Sequence, residues 1–181
     1  MRGTLPSSIG NFQSMSSLTA YSSKIGGSIP NTIGSLTSLS FMFLDSNSLT
    51  GTIPSNVSAL RALDFFSLSY NSFTGTIPVS IGGATSLRSL YFDYNSLDGT
   101  IPSTMSALTS MSTLNLQNNY LTMGTATSVP IETFSSYTLS NSMYLQENCL
   151  AFDTSSPYPY RHVTATHCRP ASKYYYEVYY G

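Results

Sequence analysis

Apolar residues recur along this chain in a fixed order with a period of 24 residues. Each copy reads L-x-x-L-x-L-x-x-N-x-L and is followed by the element G-[TS]-[IL]-P, whose glycines are Gly3, Gly27, Gly51, Gly75 and Gly99. The alternating L-x-L part predicts a short strand with both apolar side chains on one face. Repetition at such a period predicts stacked coils, each burying the apolar layer of its neighbour, with successive strands forming a parallel sheet.

The inward positions of each predicted coil can be assigned from this pattern. One full copy contains Leu39, Met42, Leu44 and Leu49, and three further copies follow at the same spacing from Leu63, Leu87 and Met111. A weaker first copy has Met15, Leu18, Ala20 and Ile25. Replacing one of these ladder leucines by alanine is expected to destabilise the fold by about 2–5 kcal/mol.

A polar residue recurs inside this apolar pattern, where the chain must leave the sheet. An amide at such a corner can pair with backbone donors and acceptors that the interior would otherwise leave unpaired. The sequence therefore predicts a structural asparagine ladder, formed by Asn47, Asn71, Asn95, Asn119 and Asn148.

The L-[TS]-G-x-[IL]-P variant resembles the plant-type leucine-rich repeats of receptor-kinase ectodomains and polygalacturonase inhibitors. The Ser/Thr-rich text, for example "LTSLSFMFLDSNSLTGTIP", and the end "ENCLAF…THCRP" also resemble leucine-rich surface antigens of kinetoplastid flagellates. The resemblance implies an α/β repeat fold: a right-handed solenoid with a short-stranded parallel sheet on the concave face and a 3-10 or irregular convex side. It also implies a secreted or cell-surface setting, with a membrane-associated parent protein. Trp, common in several such antigens, is absent, as is the amino-terminal Cys cap of the plant proteins.

The period predicts a division of the chain into three parts. Residues 1–150 form a solenoid of about six coils, the first of them incomplete. The interval from Asn119 to Asn148 is 29 residues, which predicts an enlarged loop at 122–138 before the last coil. Residues 149–168 are interpreted as a cap. For the Tyr-rich tail 169–181 the open alternatives are disorder, packing on the cap, an added edge strand or membership of a neighbouring segment.

Two cysteines follow the last apolar layer, and Cys149 and Cys168 are the only two in the chain. A disulfide closing the cap is the favoured interpretation, and it would place the domain in an oxidising compartment. Metal binding with His162 and His167 is the alternative, but the spacing matches no standard zinc pattern, so we expect no metal. The sequon at Asn56 is a candidate glycosylation site.

The composition excludes several functions. Charged residues make up 8% of the chain and the net charge is −1, so few phosphates could be neutralised and nucleic acid is not an expected partner. No apolar run is long enough to span a bilayer, so direct membrane insertion by this segment is not expected. No nucleophile–base order, phosphate loop or carboxylate pair is recognisable, which argues against an enzyme and against a cofactor.

Aromatic residues are concentrated at the strand positions that should point away from the core. Clustered exposed aromatics are typical of interaction surfaces, although aromatics also suit strands for structural reasons alone. Asp45 and Asp93 are expected at the rim of this patch, as exposed hydrogen-bonding groups. The predicted ligand-binding residues are Phe41, Phe43, Asp45, Phe65, Tyr70, Tyr91, Asp93, Tyr94, Gln117 and Tyr144.

The leading functional hypothesis is a non-catalytic extracellular recognition module that binds a protein, peptide or glycan on the concave face. The alternative is a surface-coat or ice-binding protein that uses the hydroxyl column Thr4, Ser28, Thr52, Thr76 and Thr100. The chain enters the repeat at once, which we interpret as a fragment boundary or an early start. An uncapped layer there would promote self-association at the N-terminal end.

Overall fold

Two parallel sheets and a row of short 3-10 helices make up the solenoid in a computed structural model, which describes residues 3–122 and the backbone of Ser142–Tyr144. Each coil contributes one strand to a six-stranded sheet, in the order β1 (Ser17–Thr19), β3 (Phe41–Phe43), β5 (Phe65–Ser67), β7 (Ser89–Tyr91), β9 (Thr113–Asn115) and β10 (Ser142–Tyr144). The four-stranded sheet has the order β2 (Gly26–Gly27), β4 (Ser48–Gly51), β6 (Ser72–Thr76) and β8 (Ser96–Asp98).

The six-stranded sheet keeps the 24-residue register of the sequence repeat. Met42 pairs with Phe66, and Phe66 pairs with Leu90 in the next coil. The register also holds across the longer interval before the last coil, because Met143 on β10 pairs with Leu114 on β9. The alignment of Met143 with the middle inward position of each strand follows from the sequence pattern alone.

The four-stranded sheet has a different register, in which residues 22 apart are paired. Thr74 pairs with Ser96 and Thr76 pairs with Asp98, so the rows of this sheet do not follow the sequence repeat. Gly75 and Gly99 have φ values of 70° and 71°, a left-handed conformation that glycine adopts without steric cost. The chain can therefore leave this sheet sharply and enter the proline that follows.

Each coil then turns through a five-residue 3-10 helix that begins directly after a proline. The proline ring fixes an extended conformation with φ between −64° and −76°, which defines where the helix starts. The carbonyl of that proline accepts the first helical hydrogen bond, as between Ile33 N–H and Pro30 O at 2.9 Å. The five helices are Ser7–Asn11, Asn31–Ser35, Ser55–Ala59, Val79–Gly83 and Ser103–Ala107.

One continuous hydrophobic core runs through the stack. In the coil that starts at Leu63, the inward side chains of Phe66, Leu68 and Phe73 are fully buried, and Ile77 and Ile81 close the opposite wall. Phe66 packs edge-on against Phe92 of the next coil with 5.0 Å between ring centroids. Residues of the first described coil, including Met15 and Leu18, are only partly buried against this core.

The asparagine ladder joins each coil to the one before it. The side-chain amide of Asn71 donates to Leu68 O of its own coil at 3.0 Å and to Leu44 O of the preceding coil at 2.9 Å. Its oxygen accepts the Leu49 N–H at 2.9 Å. Asn47, Asn95 and Asn119 make the equivalent bonds.

Several sequence predictions lie outside the described residues. These are the enlarged loop after residue 122, the disulfide between Cys149 and Cys168, the ladder residue Asn148, the alternative ligands His162 and His167, and the tail 169–181.

Candidate functional site

The outward face of the six-stranded sheet carries two rows of side chains between the buried inward residues. The first row contains Phe41, Phe65, Ser89 and Thr113, and the second contains Phe43, Ser67, Tyr91 and Asn115. Residues of a row are about 4.8 Å apart, the spacing of neighbouring strands, so their side chains can contact each other directly.

Four aromatic rings on these rows form one connected set, here called the strand cluster: Phe41, Phe43, Phe65 and Tyr91. Phe43 and Phe65 have ring centroids 4.6 Å apart, and Phe65 and Tyr91 stack at 5.2 Å. The contacts run diagonally because Ser67 stands between Phe43 and Tyr91 in their row and is buried. Because Ser67 is small, the ring of Phe65 can occupy the space over it, between Phe43 and Tyr91.

Tyr70 and Tyr94 form a second aromatic group, here called the tyrosine pair. Their rings stack at 4.3 Å with an interplanar angle of 11°, and they are 54% and 40% exposed. Both have a positive φ, 55° and 52°, in the turn that precedes the ladder asparagine. A left-handed conformation is unfavourable for a bulky residue. Tyrosine at this position therefore costs more stability than the smaller residues Ser46 and Asn118, which have the same conformation in their coils.

A polar column lies between the two aromatic groups and consists of Asp45, Ser69 and Asp93, continued by Gln117. Backbone hydrogen bonds align it: Ser46 N–H donates to Ser69 O at 2.9 Å and Tyr70 N–H donates to Asp93 O at 3.0 Å. The hydroxyl of Ser69 donates to the carboxyl of Asp93. Asp45 and Gln117 are half-buried.

Asp93 corrects the expectation of an exposed rim residue, because it is only 4% exposed. Its carboxyl turns toward the neighbouring coil to accept the Ser69 hydroxyl, which removes it from solvent. Burial raises the pKa of Asp93 above its usual value, the Ser69 hydrogen bond opposes that rise, and the charge of Asp45 adds to it. The pKa of Tyr70 is also raised, first by desolvation and then by its hydrogen bond with Tyr94.

The other predicted site residues divide between accessible and partly covered positions. Phe41 is 42% exposed, whereas Phe43, Phe65 and Tyr91 are half-buried by their mutual contacts. Of Tyr144 the structure describes the backbone, which pairs with Asn115. The sequence analysis did not include Ser67 and Ser69 among the site residues. Their small size, in rows otherwise occupied by large or acidic residues, was the feature that could have indicated their role.

Two kinds of feature, a metal-ligand cluster and a membrane-spanning helix, are not found in the described residues. Within residues 3–122 there is no group of three or more His, Cys, Asp or Glu that could hold a metal ion. No helix in the described part of the chain is long and apolar enough to cross a membrane. What the outward face offers is aromatic surface beside hydrogen-bonding groups.

Comparisons with known proteins agree with this architecture. The family model for the Leucine Rich Repeat matches residues 62–84 and 86–108. The BIR2 ectodomain from Arabidopsis thaliana is 30% identical, with a TM-score of 0.64 over 74% of this chain and 68% of its own. The chain belongs to the leucine-rich repeat family. No curated protein sequence is significantly similar to it.

Two longer leucine-rich repeat structures are also similar to this chain. The ectodomain of the plant membrane receptor kinase GASSHO1/SCHENGEN3 from Arabidopsis thaliana, in complex with Casparian strip integrity factor 2, is 31% identical with a TM-score of 0.66. The alignment covers 67% of this chain and 14% of the receptor. A plant ice-binding protein is 26% identical with a TM-score of 0.66, over 84% of this chain and 46% of its own. The leucine-rich repeat chain is therefore similar to parts of these longer proteins.

Proposed function

We propose that this leucine-rich repeat chain is a non-catalytic recognition module that binds a peptide or protein segment on the outward face of the six-stranded sheet. The observation that carries the proposal is the strand cluster, whose rings lie on four adjoining strand positions with the tyrosine pair beside them. Aromatic side chains contribute much of the energy at binding surfaces because they bury large area with few rotatable bonds. Related ectodomains, such as that of GASSHO1, occur in complexes with named factors, which supports the same class of function here.

Loss of single rings tests this proposal. A defined array of synthetic peptides and glycans is probed with the wild-type protein, with Phe65→Ala and with Tyr91→Ala. We expect peptides bound by the wild type to bind at least about tenfold more weakly to both variants, since truncating a central aromatic commonly costs more than 1 kcal/mol. The glycans on the same array test whether this face binds a glycan, the other ligand class of the hypothesis.

Val79→Ala is the matched control for these variants. Val79 is strongly exposed but lies in a 3-10 helix on the opposite wall, so its loss removes apolar surface without touching the strand cluster. It should bind as the wild type does. If Phe65→Ala and Tyr91→Ala are folded by circular dichroism and bind as tightly as Val79→Ala, the proposed surface is wrong.

An extracellular or cell-surface location accompanies the proposal. It rests on the similarity to ectodomains of plant membrane receptors and on the sequence features that suit an oxidising compartment. Asn56, the sequon residue, is exposed in its 3-10 helix. The location predicts a disulfide between Cys149 and Cys168 and a glycan on Asn56 when the chain is secreted from a eukaryotic cell, both detectable by mass spectrometry without reduction.

The hydroxyl column supports a second candidate function, ice binding. Its five members are exposed along one wall, and a plant ice-binding protein is among the similar structures: Thr4, Ser28, Thr52, Thr76 and Thr100. A thermal-hysteresis measurement tests it, with loss of activity expected in Thr76→Tyr. Absence of hysteresis in the wild type removes this candidate and leaves a surface-coat role as the structural alternative.

Self-association at the N-terminal end is a further part of the proposal. Leu5, Met15, Leu18, Ala20 and Ile25 are only partly buried, so a second copy could cover this layer. Light scattering at rising protein concentration should show association, and a monomer at millimolar concentration contradicts it.

A further inference from the structure

The polar column and the two aromatic groups together form a site with an acidic floor. Within one coil the order along the chain is Tyr91 of the strand cluster, Asp93 of the polar column and Tyr94 of the tyrosine pair. The preceding coil places Ser69 beside Asp93, and the coil before that places Asp45 beside Ser69. The backbones of the two aspartates thus lie about 10 Å apart, two strand spacings across the stack of coils, with rings on both sides.

No basic side chain of the described residues forms an ion pair with Asp45 or Asp93. Residues 3–122 contain Lys24, Arg61 and Arg88. Arg88 lies 3.8 Å from the carboxyl of Asp64, at the start of the strands. The negative charges of the polar column therefore have no cationic partner among the described residues.

A hydroxyl has one proton, and this limits how the column can satisfy its own carboxyls. The Ser69 hydroxyl donates its one hydrogen bond to Asp93, so it does not also donate to Asp45. Asp93 is held in place by this bond and is largely removed from water, so a ligand cannot contact its carboxyl directly. The half-buried carboxyl of Asp45 is the acceptor of the polar column that a cation can reach, and the buried charge of Asp93 adds to the negative potential there.

We propose that the peptide bound by this face carries an arginine or lysine side chain whose cationic head lies on the polar column, against the carboxyl of Asp45 and the exposed surface of the tyrosine pair. This inference rests on the proposed function and names the chemical class of its ligand. The apolar part of the peptide packs on the strand cluster. Arginine is preferred over lysine, because a planar guanidinium stacks on a ring while it donates to a carboxyl.

The smallest probe of this site is N-acetyl-arginine methylamide, compared with the uncharged isostere N-acetyl-citrulline methylamide. Titration at millimolar concentration is followed by the backbone amide signals of Ser69, Tyr70, Asp93 and Tyr94 in two-dimensional nuclear magnetic resonance spectra. We expect saturable shifts of these amides with the arginine probe and about tenfold weaker binding, or none, with the citrulline probe. Equal shifts with both probes, or none with arginine, overturn the inference.

Asp45→Asn and Asp98→Asn separate a local contact from a general charge effect. Both remove one negative charge, but Asp98 is exposed on β8 of the four-stranded sheet. Asp45→Asn keeps the size of a half-buried side chain, so it is expected to fold. We expect Asp45→Asn to weaken binding of the arginine probe about tenfold and Asp98→Asn to leave it unchanged. Equal weakening in both variants contradicts a local site.

A peptide array distinguishes failure of this inference from failure of the proposed function. One position of each peptide is varied among Arg, Lys, citrulline and Glu in a constant aromatic context. Binding that follows charge in the order Arg, Lys, citrulline, Glu supports the inference. Binding indifferent to this position overturns the inference but retains peptide recognition, whereas shifts with the arginine probe and no binding by any peptide overturn the proposed function.

Discussion

Burial of the Asp93 carboxyl beside Ser69 makes the stability of the fold depend on pH. The pKa of this carboxyl is raised above its ordinary value of 3.8 in the folded chain, chiefly by desolvation and further by the charge of Asp45. The folded state therefore binds this proton more tightly than the unfolded state does. Its contribution to stability is fully present below the unfolded pKa and is lost as pH rises through the folded pKa.

Asp93→Asn should consequently raise the free energy of unfolding at neutral pH, since it keeps the acceptor for Ser69 and removes the charge. The gain should disappear as pH falls toward the unfolded pKa. Urea unfolding of both proteins between about pH 4 and pH 8 measures it, with Asp98→Asn as the exposed control. A variant that is less stable than the wild type at neutral pH would show that the carboxylate has a structural role, contrary to this account.

Asn71→Leu tests the ladder at the scale of one residue. The substitution keeps the approximate size but leaves Leu44 O, Leu68 O and Leu49 N–H without their side-chain partner. Buried unpaired groups cost about 1–3 kcal/mol each, so we expect a loss of about 3 kcal/mol or more. Asn115→Ala is the control, because its amide oxygen accepts one local N–H, that of Gln117 at 3.3 Å. If Asn71→Leu melts at the same temperature as Asn115→Ala, the structural role assigned to the asparagine ladder is wrong.

At the scale of elements, the side chains of the hydroxyl column lie close to the glycines of the next coil in the four-stranded sheet. A Cβ at Gly99 would lie 2.7 Å from Cγ2 of Thr76, closer than carbon atoms approach, and Gly99 also has a positive φ. Gly27 has a similar φ of 74°, but its Cβ would lie 3.3 Å from Thr4. The cost of the positive φ and the cost of the steric clash can therefore be measured separately for a glycine-to-alanine substitution.

Gly99→Ala should destabilise the chain by about 2 kcal/mol or more, of which 1–2 kcal/mol is backbone strain and the rest steric. Thr76→Ser removes the clashing methyl group and should recover the steric part, giving a coupling of about 1 kcal/mol in a double-mutant cycle. Gly27→Ala should show the backbone strain with a smaller steric cost, because its Cβ would lie 3.3 Å and not 2.7 Å from the nearest methyl group. Strictly additive effects of the two substitutions would mean that this contact does not matter.

The row of 3-10 helices has a hydrogen-bond ladder of its own, which the repeat pattern does not reveal. Thr32 Oγ1 donates to Ser7 O at 2.7 Å, Asn56 Nδ2 to Asn31 O at 3.3 Å, and Ser80 Oγ to Ser55 O at 2.7 Å. Thr104 donates to Val79 O in the same way. The four donors occupy the same position of the 24-residue repeat, but the residue there varies among Thr, Asn and Ser, so the pattern of letters alone does not identify this ladder.

For the whole molecule, stability should vary along the stack because each coil is buried by its neighbours. Leu68 lies in the middle and is fully buried, whereas Leu18 of the first described coil is partly buried. Leu68→Ala should cost about 2–5 kcal/mol and Leu18→Ala clearly less. Chemical denaturation measures both, and hydrogen exchange should show earlier opening around Leu18. Equal costs at the two positions would contradict a nearest-neighbour stack.

The outward face shows how far sequence could predict the site. Asp45 and Asp93 occupy equivalent positions in the repeat, yet one is half-buried and the other almost fully buried. The two also differ in their partners, because the Ser69 hydroxyl donates a hydrogen bond to Asp93, 24 positions away, and not to Asp45. Of the seven predicted aromatic residues, the six whose side chains are described likewise divide into the strand cluster and the tyrosine pair.

The sequence by itself determined the repeat, the strands of the six-stranded sheet, the inward side chains and the positions of the ladder asparagines. Each of these follows from a periodic pattern, because alternation in a strand and recurrence of a turn residue are local properties. The tertiary structure alone decided the register of the four-stranded sheet, the ladder on the 3-10 helices and the accessibility of the outward residues. These depend on which rotamers and hydrogen bonds adjoining coils adopt together, and no single coil encodes that choice.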